Sequence, residues 1–157
     1  MDFLLWAVRS LHVFGIVVWL GGLMYQMVVT ISVARADGVE LSPETVHQLR
    51  RFVPFIWMCL WTVLLTGLAL MLFDSRFVFF EFKDMWSILL ACKQLVFLAL
   101  AFFSLGYVRM FVRVDEIVGL KPEESNDARA YFQRMVQFGK VNIALGIIGI
   151  LLAAGMK

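Results

Sequence analysis

Four stretches of the chain are nearly free of charge: Ser10 to Ala34, Phe52 to Phe73, Met85 to Val108 and Val141 to Met156. Hydrocarbon about 30 Å thick needs roughly 20 helical residues to cross it, so the first three runs are long enough as they stand. The first helix is expected to begin near Phe3, and Lys93 is the one charge within the third. The fourth run is shorter, but Lys140 can snorkel at its end and lengthen it. Helices satisfy their own backbone groups in lipid, and these runs are too long for tilted barrel strands. The polar punctuation fits the same division. Ser42-Pro43-Glu44 reads as an N-cap, an N1 proline and an acidic first turn. Gly119-Leu120-Lys121-Pro122 ends the third helix, and Ser125-Asn126-Asp127 starts the fourth with an amphipathic lead-in. Pro54 is expected to kink the second helix near the membrane surface. The pattern predicts an all-α membrane protein, one domain over 1–157 without internal repeat. Its helices at about 3–34, 43–73, 84–118 and 126–155 form an antiparallel four-transmembrane-helix bundle.

Composition agrees. Of 157 residues, 62% are hydrophobic and 17% charged, more apolar surface than a soluble domain of this size can cover. The excess faces the lipid bilayer. Met1-Asp2 offers no basic n-region and the first apolar run is too long for an h-region, so a membrane helix is expected rather than a cleaved signal. Cys59 and Cys92 lie within apolar runs, which argues against a structural disulfide or zinc site. The sequence holds no nucleic-acid footprint, phosphate loop or nucleophile elbow. The net charge of +2 says little, but its placement says more. Nine basic residues (Arg35, Arg50, Arg51, Arg109, Arg113, Lys121, Arg129, Arg134, Lys140) flank the first and third loops, against four (Arg9, Arg76, Lys83, Lys157) on the other side. The positive-inside rule then predicts N-out and C-out, with the 74–84 loop outside.

Polar residues inside a membrane mark the places where function is expected, because their presence there is costly. On the first helix Arg9, His12, Trp19 and Gln26 fall on one stripe with Gly15 and Gly22 between them. Trp86, Lys93, Ser104 and Tyr107 share a stripe on the third, Cys59, Thr62 and Thr66 one on the second, and Asn142, Gly146, Gly149 and Ala153 one on the fourth. Counting 1.5 Å per residue from the outer helix ends puts His12 at about 13 Å, Lys93 at about 12 Å and Thr66 at about 10 Å. One polar layer in the outer leaflet is therefore predicted, with Arg9 above it. Each member has a plainer reading. An intramembrane histidine can serve only as an interhelical hydrogen-bonding group, and Lys93 can snorkel toward Asp84 or a headgroup. Terminal Trp and Tyr are ordinary interfacial anchors, Met24 and Met27 ordinary apolar filler, and glycines ordinary packing residues. His47 is expected to be solvated.

Haem b would use such a layer: imidazole as axial ligand, glycines that leave room for the macrocycle, and Arg or Lys for the propionates. The only two histidines lie on opposite sides of the membrane, which excludes bis-histidine ligation within one chain. The sixth position then falls to Lys93 in its neutral form, a methionine, another subunit, or nothing. Copper handling through His12, Met24 and Met27 is the alternative chemistry, and a cofactor-free anchor or assembly subunit the alternative class.

Leu11-His12-Val13 followed by Trp19-Leu20-Gly21-Gly22-Leu23-Met24-Tyr25 resembles the first helix of the copper-resistance D (CopD) superfamily and of HemJ-type protoporphyrinogen oxidases. Thr66-Gly67-Leu68 is similar to the end of their second helix, Leu90-Ala91-Cys92-Lys93 to part of their third, and Phe138-Gly139-Lys140-Val141-Asn142 to the opening of their last. The resemblance covers most of the chain and rests on the order and spacing of short motifs. It implies a haem-binding membrane oxidoreductase centred on His12 and Lys93, in electron transfer or HemJ-like oxidation. The implied setting is the bacterial inner (cytoplasmic) membrane, with a redox partner subunit or a homo-oligomer as partner. His12, Lys93, Arg9, Thr66, Trp19 and Asn142 are the expected cofactor-binding residues, the first two as candidate iron ligands. The chain departs from the HemJ pattern in three places. Met27-Val28 stands where HemJ proteins have Pro-Arg, Phe103 where they have a histidine, and Ile143-Ala144-Leu145 follows Asn142 where they have Glu-x-Pro. Unlike CopD itself, it carries no histidine- or methionine-rich outer segment.

Overall fold

The computed structural model describes residues 2–39, 41–73, 85–120 and 125–155. Helix α1 (Asp2–Tyr25) passes through a π-helical turn (Gln26–Thr30) into α2 (Ile31–Ala36), and α3 (Pro43–Phe73), α4 (Met85–Leu120) and α5 (Ser125–Ala154) follow. Four helices are long and apolar enough to cross a membrane: Phe3–Ala36, Pro43–Phe73, Met85–Gly119 and Asn126–Ala154. That is the architecture of a multi-pass membrane protein, and the expected boundaries fall within two residues of those found. Arg76, Lys83, Asp84 and the rest of the 74–84 loop, Lys121, Pro122 and Lys157 lie outside the described residues.

Local chemistry explains the element ends. Gly38 takes φ +68 after α2, where the Val39 N–H reaches the Ala34 carbonyl (2.8 Å) and the Gly38 N–H that of Arg35 (3.2 Å). This is a Schellman closure, which needs a residue free of Cβ strain. Ser42 caps α3 by accepting from the Thr45 N–H at 3.2 Å, and Pro43 sits where no intrahelical donor is required. The helix continues through Pro54. In the π turn the Ile31 N–H bonds to the Gln26 carbonyl. The Ser32 hydroxyl donates to the Met27 carbonyl at 3.1 Å, satisfying a carbonyl at the disturbed register. Nothing in the sequence announces this turn.

α1 packs most extensively on α3, and α4 on α5. Small residues set the approach, as expected where lipid supplies no hydrophobic drive between helices. A Cβ on Gly15 would press on Thr62 and Val63 of α3, one on Gly22 would overlap the Phe52 ring, and one on Gly146 of α5 would meet Leu20 and Trp19. The predicted stripes thus face inward, although Arg9 and Ala153 at their outer ends are exposed.

Burial is uneven along the bundle. Leu23, Ile31, Val46, Leu49, Ile56, Tyr107, Phe111, Val114, Phe132 and Met135 form a core toward one end. That end carries the Arg50–Asp115 ion pair between α3 and α4, and the Arg35 guanidinium 5.8 Å from the Phe132 ring centre. Toward the other end, where His12 lies, large apolar side chains such as Phe14, Val17, Leu65, Leu95, Leu98 and Leu151 are exposed. Spans of 29 to 35 residues measure roughly 44–52 Å, more than the hydrocarbon requires.

Candidate functional site

His12 lies half-buried on α1, with its ring turned to α3. Its Nδ1 is 2.8 Å from the Thr66 hydroxyl, and Thr66 itself is buried. The direction of this bond follows from its neighbours. Thr66 donates its single hydroxyl proton to the Thr62 carbonyl, one turn back on α3. Its oxygen can then only accept from the imidazole, so Nδ1 carries the proton. In the neutral imidazole this arrangement leaves the lone pair on Nε2. Gly67 completes the contact: a Cβ there would lie 3.1 Å from His12 Cε1, tighter than an ordinary contact.

Lys93 on α4 is half-buried. Among the described residues no carboxylate pairs with it. Arg9 is exposed one turn beyond His12. Of the expected layer, His12 and Thr66 are joined directly, Lys93 is half-buried on α4, and Arg9 is exposed.

Trp19 and Asn142 do not join it. Trp19 is buried against Gly146, seven residues from His12, or about 10 Å along the axis. Asn142 is 1% exposed. Its amide, oriented with nitrogen toward α4, donates to the Leu100 carbonyl at 3.1 Å and accepts from the Ser104 N–H at 3.2 Å. Those residues lie seven and eleven positions past Lys93, roughly 10–16 Å deeper. Asn142 and Ser104, together with Tyr107 and Gln26 of the π turn, are further buried polar residues that the depth count left out. Among the described residues the Gln26 Oε1 has no hydrogen-bond partner. The spacing already placed these residues on inward stripes; matching their heights requires the register between helices.

The copper set is not brought together. Met24 is exposed, whereas Met27 is buried against Gly139, and twelve helical residues, about 18 Å, separate His12 from Met24. Cys59 is buried, Cys92 and His47 are exposed, and no three His, Cys, Asp or Glu among the described residues converge as a metal-ion site. His12 is thus presented singly, oriented by Thr66. Compared with known proteins, the chain matches no family model, no curated protein and no solved structure.

Proposed function

We propose that this protein is a haem b-binding membrane protein working in electron transfer or HemJ-like oxidoreduction, with His12 as the axial ligand. One observation carries the reading: His12 is held through Nδ1 by Thr66, which leaves Nε2 as the ring nitrogen available to a metal. The donor set fits haem better than a bare ion. A porphyrin brings four nitrogens of its own and needs only one or two from the protein, whereas a bare ion needs a converging cluster. When bound, haem supplies reversible one-electron chemistry at its iron. His12 would hold it, and Lys93 would neutralise a propionate or approach the open axial side. Arg9 would offer charge at the rim. Trp19 and Asn142 serve instead to pack α1 on α5 and α5 on α4.

In this reading the bundle is antiparallel, N-out and C-out, in a bacterial cytoplasmic membrane. The pairing of His12 with Thr66 and of Gly22 with Phe52, early α1 with late α3 and the reverse, supports the first point. The nine-to-four split of basic residues supports the second. The test is the reduced-minus-oxidised absorption spectrum of the purified protein, with metal analysis beside it. A b-type spectrum with iron is expected. Well-folded protein with no haem signature, or with copper instead of iron, would overturn the proposal.

A further inference from the structure

The His12 imidazole meets two consecutive residues of α3, and each acts on a different degree of freedom of the ring. Thr66 engages Nδ1 and sets which nitrogen carries the proton. Gly67 lies against Cε1, the carbon between the two nitrogens, where a Cβ would sit 3.1 Å from the ring. A group pressing on Cε1 would turn the ring and move Nε2 with it.

We infer that Thr66 and Gly67 are positioning residues, a two-residue seat that fixes the tautomer and rotation of the His12 ring and thereby tunes the iron it would ligate. The inference rests on the haem reading above, and Thr66 acts in it through His12 rather than by touching the cofactor. The physical basis is general: a ligating histidine is oriented, and its basicity raised, by the acceptor at its other nitrogen. Here that acceptor is a neutral hydroxyl, polarised in turn by donating to the Thr62 carbonyl, so the relay Nδ1–H to Oγ1–H to O=C strengthens along its length.

Two measurements on the full chain in detergent or nanodiscs test this. The first uses haem-free protein carrying 15N-histidine, in which His12 and the exposed His47 are the only histidines. Nitrogen chemical shifts should place the His12 proton on Nδ1 in the wild type and in Thr66→Ser, and lose that preference in Thr66→Val. The second loads haem. Thr66→Val should bind it about 10–100-fold more weakly, with a higher midpoint potential, and Thr66→Ser should restore both. Gly67→Ala should weaken binding while keeping the proton on Nδ1. A wild-type proton on Nε2 would overturn the inference even if no variant folds. So would a folded Thr66→Val whose affinity and potential equal those of the wild type. An Nδ1 proton in a protein that takes up no haem would overturn the haem reading and leave the seat standing.

Discussion

The meeting of His12 with Thr66 could be anticipated by counting residues along their helices, because rise per residue is fixed. The direction of the His12–Thr66 bond could not be read that way. It depends on where the Thr66 proton goes, and so on a backbone carbonyl within α3. Asn142 shows the other limit. Its stripe marked it as inward-facing, but only the register of α5 against α4 reveals that its amide bridges Leu100 and Ser104 rather than facing His12. Asn142→Leu removes that interhelical bond within an apolar surround, where such bonds are worth roughly 0.6–1.7 kcal/mol. Thermal unfolding in detergent should show a loss of that order with haem content per folded chain unchanged. A variant that is fully stable but cannot take up haem would return Asn142 to the cofactor.

At the scale of elements, the helix ends were legible where local chemistry decides them, as at Ser42-Pro43 before α3. The π turn at Gln26–Thr30 was not, because the segment holds no Gly or Pro and its β-branched Val28, Val29 and Thr30 are common in ordinary apolar helices. Helix spacing rests on the small residues. Gly15 faces Thr62 and Val63, two β-branched side chains with little room to yield, whereas nothing lies within 4 Å of a Cβ placed on Gly21. Gly15→Leu should destabilise the protein by about 1–3 kcal/mol through overpacking. It should also lower haem uptake, because it separates α1 from α3 one turn from His12. Gly21→Leu should leave both unchanged. Equal behaviour of the two variants in a melting assay would show that α1 and α3 do not meet along this face.

For the whole molecule, four spanning helices were legible in charge-free run lengths, while the burial gradient was not, since it depends on how the helices pack against one another. The proposed orientation sets the charged, well-packed end in the cytoplasm and both termini outside. A membrane-impermeant thiol reagent applied to intact cells should label a single cysteine placed before Phe3 and spare one placed at Gly38, in a background lacking Cys59 and Cys92. The reverse pattern would invert the bundle and put His12 in the inner leaflet. Orientation decides which side the site serves, but not whether it exists. The reduced-minus-oxidised spectrum, taken side by side on wild type and His12→Ala at equal amounts of inserted, folded protein, tests the central claim most directly. The account predicts one b-type haem per wild-type chain and none in the variant. A wild type without haem, or a variant that retains it, would contradict the assignment of His12 as its ligand.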